Sequence, residues 1–261
     1  MKFAKNATEL KNALNSATKD TIIEFQADIT GDVNATQNPN VDVVIDGKGY
    51  KFTGVMTVFG QGNQESAEKF TIKNIDFVAK AGADSCIVSP DRAVNNKYSY
   101  AHNVTIENCS FTDPDGGFDC AAIRHEDGGD KNWVIENCTV DNTMHSMLQV
   151  NNVIGKLTIT GCTVNSKNGV NLNSSTNVEM TGCTFDVTGY AVRFGVNSGG
   201  NPGEAKKIVI SDCTLKSAND GGDAVIIIRA SAADAVLTLQ NTTLVGTPDI
   251  SGVTASTTIN R

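Results

Sequence analysis

One eight-residue phrase recurs along the chain with a cysteine in the same slot. It reads VTIENCSF from Val104, WVIENCTV from Trp133, LTITGCTV from Leu157, VEMTGCTF from Val178 and IVISDCTL from Ile208. FTIKNIDF from Phe70 and LTLQNTTL from Leu237 keep the pattern with other residues in the slot, and VVIDGKGYKF from Val43 is a more distant copy. The slot residues Ile75, Cys109, Cys138, Cys162, Cys183, Cys213 and Thr242 stand 21 to 34 residues apart. A fixed phrase with inserts of unequal length predicts one structural unit per turn of a solenoid, with loops of different size between units.

Each phrase alternates apolar and polar residues at period two, which is the pattern of a half-buried strand. Val104 and Ile106 would face one side and Thr105 the other. The Asn, Gly or Asp before the slot suits a tight bend, because these residues tolerate left-handed backbone angles. A second strand follows in most units: CIVS from Cys86, AIRH from Ala122, MLQV from Met147, GVNL from Gly169, AVRF from Ala191 and VIII from Val225. Two or three short strands per repeat describe one coil of a parallel β-helix. The segments lack a 3.6-residue period, which excludes a helical-repeat solenoid.

Equivalent residues of neighbouring coils would stack roughly 4.8 Å apart, the spacing of strands in a sheet. The five slot cysteines then form an internal ladder, flanked by Ile75 and Thr242, in which cysteine acts as a small apolar filler at a bend. Ligands strung along a column do not converge on one tetrahedral point, and no C-x-x-C pair is present, so the ladder does not read as a metal site.

The helical pattern is confined to about Thr8 to Ala17, where Leu10, Ala13, Leu14 and Ala17 share a face and Asn6 or Thr8 serves as N-cap. An uncovered solenoid end exposes strand edges and core, so this helix is expected to cap the N-terminal end. The expected organisation is one domain over 1–261, with a capping helix at 6–18, about eight coils over 20–245 and a tail at 246–261.

The repeat phrases, together with NATELKNALNSATKDTIIEFQADIT followed by VVIDGKGYKF, resemble the pectin-lyase-like superfamily of right-handed parallel β-helices. The resemblance runs from about Phe3 to Leu244. It implies an all-β, single-stranded right-handed parallel β-helix with a short N-terminal α-helix cap. It is less specific for activity, since the superfamily holds polysaccharide lyases, glycoside hydrolases, bacterial surface proteins and phage tail spikes. The polygalacturonase-like motif set and the pectate-lyase-like vWiDH and Arg-x-Pro-x-x-Arg motifs are missing from the sequence, which favours the tail-spike or surface-protein branch.

The chain of 261 residues carries 21 Lys and Arg against 29 Asp and Glu, a net charge of −8. With no basic stripe, duplex nucleic acid is not an expected partner. No apolar run approaches the ~20 residues of a membrane span. Residues 1–10 lack the apolar core of a secretion signal, so none is expected in this stretch. Seven cysteines, five of them in the ladder, read as reduced thiols and suit synthesis in a reducing cytoplasm.

Chemistry-bearing residues concentrate in two places. The outward positions of the second strands would align Arg124, Gln149, Asn171 and Arg193 as a ligand-binding face. The insert TDPDGGFDCAAIRHEDGGDKN, from Thr112, offers Asp113, Asp115, Asp119, Arg124, His125, Glu126 and Asp127, with His145 in the next insert. A lyase would use Arg124 or Arg193 as base, with Asp113, Asp115 and Asp119 holding Ca2+. A glycosidase would pair Asp119 with Glu126 or Asp127. Against both stands the reading of a solvated loop. Trp133 is expected in the core, and Phe118 and Tyr190 at the surface. The expected function is a non-catalytic structural or binding β-helix of a virion, such as a tail spike, fibre-associated or capsid-decoration protein. It would need no cofactor, and its partners would be itself as a homotrimer, other virion proteins or a polysaccharide. The alternatives are a polysaccharide lyase or glycoside hydrolase acting on an acidic polysaccharide, and a bacterial cell-surface adhesin.

Overall fold

The computed structural model describes residues 1–36, 40–60, 68–89, 102–116, 119–125, 130–150, 154–172, 177–195, 207–218, 224–228, 236–250 and 258–260. Their strands form three sheets of eleven, nine and eight strands, each strand paired in parallel with its counterpart in the next coil. Each repeat phrase splits across the first two sheets. Asn103–Glu107 lies in the first, Ser110–Thr112 in the second, and Ala121–His125 completes that coil in the third. Eight coils contribute a strand to all three sheets.

The corner between the first and second sheets explains the repeat. Asn74, Asn108, Asn137, Asp212 and Asn241 have φ between 46° and 54°, and Gly161 and Gly182 occupy the same position at 62° and 64°. An L-residue pays a steric cost in this region, and Asn, Asp and Gly pay least. The next residue is the slot. Each of Cys109, Cys138, Cys162 and Cys183 turns its Sγ toward the carbonyl two residues back, at 3.3 to 3.4 Å. Thr242 keeps that arrangement at the last phrase, its Oγ1 donating to the Gln240 carbonyl at 2.9 Å. Cysteine is therefore a weak corner donor as well as a filler. At the other end Ile75 has no donor. It packs over Gly47, where any side chain would run into Ile75 and the Asn74 backbone.

The interior is a column of apolar side chains from each sheet. Ile72, Ile106, Ile135 and Ile159 stack within the first sheet. Phe77 and Phe111 lie face to face in the second, with ring centroids 5.1 Å apart. All seven cysteines are free and buried. A neighbouring thiol and burial push Cys162 up to about 12 and Cys183 to about 11, and hold Cys138 and Cys213 higher still. A protonated thiol is a poor nucleophile and a poor metal ligand, so the column is chemically quiet at neutral pH.

The cap is α1, Ala7–Asn15, shorter than the expected 6–18. Asn6 accepts from the Glu9 amide at 2.9 Å and Glu9 accepts from the Lys5 amide at 2.8 Å, a reciprocal N-terminal cap. Leu10, Ala13 and Leu14 are buried. Lys2 reaches the far end of α1 and donates to the Ala13 carbonyl at 3.0 Å, where a cation suits the helix dipole. Two strands extend the first sheet beyond the expected coils. Lys2–Ala4 pairs with Thr21–Phe25, and Thr258–Asn260 pairs with Val236–Gln240. The second lies within the stretch 246–261 expected as a tail and lengthens the first sheet by one strand. Its residues Thr258 and Ile259 repeat the alternation of Thr238 and Leu239, but are too few to register as a phrase.

Candidate functional site

From Ser85–Ser89 onward, each third-sheet strand turns one residue outward between inward neighbours. Arg124 lies opposite Gln149, Gln149 opposite Asn171, and Asn171 opposite Arg193. Val88 precedes this column and Ile227 follows it. Arg124 reaches across to Asp84, Nη1 to Oδ2 3.3 Å.

Gln149, Asn171 and Arg193 form the floor of a cleft of about 320 Å³. Its wall comes from the turns between the second and third sheets: His145, Lys167, Asn168, Thr188, Gly189 and Tyr190. Gly189 leaves room there, because a side chain would press on the Asn168 carboxamide oxygen and crowd the Lys167 carbonyl. Tyr190 is 5% exposed, which corrects the expectation of a surface ring. The Arg193 guanidinium lies 5.4 Å from its ring centroid and covers it, a cation–π arrangement that holds the arginine over the floor. Asn171 Oδ1 and Arg193 Nε are buried and make no hydrogen bond among the described residues.

His145 Nε2 sits 3.1 Å from Asp119 Oδ1 and 3.4 Å from Asn168 Nδ2. Burial holds this histidine below its ordinary pKa; Asp119 pulls it back up and Lys167 lowers it again. The cleft is therefore cationic. Lys167 and Arg193 line it, no carboxylate does so among the described residues, and Asp119 stands at its edge beside His145.

The remaining candidates do not join this cleft. His125 is fully buried and meets Trp133 edge to face, ring centroids 5.2 Å apart. It was expected at the surface, but one residue after outward Arg124 the strand's period of two turns it into the core. That removes it as a catalytic candidate. Trp133 is fully buried. Asp113 is buried, and its Oδ1 accepts from the Asp115 amide at 3.2 Å, a local turn contact. Asp113, Asp115 and Asp119 do not gather: among the described residues no three His, Cys, Asp or Glu are placed to hold a metal ion. Glu126, Asp127 and Phe118 lie outside the described residues. The sequence reading missed Lys167, Asn168, Thr188 and Gly189. Their one shared signal is position, just before or at the start of the segments GVNL and AVRF.

Among the described residues no helix is long and apolar enough to cross a membrane. Two family models match the chain. One, described as "Right handed beta helix region", covers residues 93–259. The other, described as "Putative pectate lyase-like adhesive domain", covers residues 2–115. No curated protein and no solved structure matched.

Proposed function

The chain belongs to the right-handed β-helix family, of the pectin-lyase-like kind, and from that premise we propose that it is a non-catalytic adhesive β-helix. Its third-sheet face grips an anionic glycan. The observation that carries this reading is the cleft, where Lys167 and Arg193 line a polar floor with no carboxylate among the described lining residues. The unsatisfied Asn171 Oδ1 and Arg193 Nε offer an acceptor and a donor for sugar hydroxyl and carboxylate or sulfate groups. Among the described residues the cleft has no pair of carboxylates to flank a bond for glycoside hydrolysis, and the model over residues 2–115 is described as adhesive. The test is retention on immobilised polygalacturonate, heparin and dextran. The wild type should bind one of the charged polymers and not dextran, and Arg193→Ala or Lys167→Ala should remove that binding while the protein stays folded. Equal retention on dextran, or none on any polymer, would sink the reading. Polygalacturonate against heparin separates a carboxylate from a sulfate ligand.

We place this protein on the outside of a virion, as a spike or decoration protein made in host cytoplasm. The seven free, buried cysteines support folding under reducing conditions before display. A cell-surface adhesin is the second reading, favoured by the adhesive description of the N-terminal match. Native mass by light scattering sharpens the choice: a trimer supports a spike assembly, and a monomer weakens the spike and leaves a decoration protein or the adhesin.

A further inference from the structure

The cleft contains a titratable group that ligand binding would have to disturb. His145 occupies the wall, its side chain only 15% exposed, with Asp119 on one side and the Lys167 and Asn168 pair of the next coil on the other. Around it the described charged groups are Asp119 and Lys167, with Arg193 further along the same cleft. Protonation of His145 adds one positive charge to a wall that already carries Lys167 and Arg193, and the imidazolium lies against the Asp119 carboxylate, which would otherwise repel an incoming anion. The converse follows from linkage, because two ligands that each favour the other's bound state must do so reciprocally. An anion seated between Lys167 and Arg193 offsets the Lys167 charge, which is one of the influences keeping the imidazole neutral. The anion therefore favours uptake of a proton.

We propose that anion binding in this cleft is coupled to protonation of His145, so that the protein holds an anionic glycan more tightly in mildly acidic surroundings than at neutral pH. This rests on the cleft being the glycan site. The geometry carries it: an imidazole 3.1 Å from a carboxylate, in the wall of a cleft whose other charged lining residues, among those described, are Lys167 and Arg193. The lowered pKa of the unliganded histidine agrees, since it leaves the group neutral at pH 7 and ready to gain a proton when an anion arrives. The sign is fixed. Protonation accompanies binding, so affinity rises as pH falls from neutral into the acidic range, by at most about tenfold per pH unit for one proton.

The test is calorimetric titration of the full chain with a polygalacturonate oligomer and, separately, a heparin oligomer, from about pH 7.5 down to about pH 5. In this range the ligands' own acid groups stay ionised. The expected result is affinity several-fold higher at the acidic end. At intermediate pH the binding enthalpy should vary with the ionisation enthalpy of the buffer, which reports proton uptake directly. His145→Gln keeps a polar group of similar reach and should flatten both dependences. Asp119→Asn should strengthen binding at neutral pH by removing the repelling charge. Binding that is equal at both ends, or a pH dependence that survives in His145→Gln, overturns the coupling and leaves the glycan site standing. Absence of binding to either polymer throughout the pH range overturns the glycan site and the coupling together.

Discussion

The corner between the first and second sheets and the turns beside the third sheet belong to the same coils, yet they follow opposite rules. At the first corner one residue takes left-handed angles, the next fills the slot, and the chain moves on; Asn108 with Cys109 and Asp212 with Cys213 do this alike despite different inserts around them. Beside the third sheet the turn lengths vary, and the side chains differ from coil to coil: His145, then Lys167, then Tyr190. The constant corner sets the register, and the variable turns spend that register on a surface. Diversity there is inexpensive because loops tolerate change that a strand interior does not. This separation of tasks suits a binding scaffold.

The comparison can be broken by substitution. The largest effect is expected from Trp133→Ala, which empties the biggest fully buried side chain and should cost about 4 kcal/mol in chemical denaturation. Gly169→Ala should cost about 3 kcal/mol, since the new methyl would press on the Ala191 carbonyl and, at 2.6 Å, on the Phe185 ring. At the constant corner, Asn108→Val forces a β-branched residue to φ 52° and should lose about 2 kcal/mol, while Asn108→Gly stays near neutral. An Asn108→Val protein as stable as wild type would mean the corner is not what fixes the register. Cys138→Ser should lose less than about 1 kcal/mol, because a hydroxyl can donate to the Glu136 carbonyl as Thr242 does to Gln240. Last, Arg193→Ala should cost no more than about 1 kcal/mol, through the lost cation–π contact with Tyr190, while removing ligand binding. If Arg193→Ala instead destabilised as much as the corner variant, the third-sheet face would be framework too.

Much of the fold was legible because its rules are local. The period of two in Val104-Thr105-Ile106, and the Asn or Gly before each slot, state their backbone requirements within a few residues of chain. The alignment of Arg124, Gln149, Asn171 and Arg193 could be read for the same reason: each follows an inward apolar residue in a short segment. His125 shows the cost of relaxing that rule, since a charged-looking run, RHED, hid the parity that turns its second member inward. The cleft wall was hidden for a different reason. His145, Lys167 and Tyr190 occupy turns of unequal length, and only the stacking of three coils brings them together. Tyr190 is buried through the arginine three residues later, a contact that hydropathy does not register.

The column of buried thiols has a practical consequence. Cys109, Cys138, Cys162, Cys183 and Cys213 mark five successive coils, each free and each shielded. An alkylating reagent can reach a given sulfur only while its coil is open, so the order in which the five react would trace how opening spreads along the axis. Nature has in effect ruled the solenoid with evenly placed marks, and mass spectrometry could read from which end it frays.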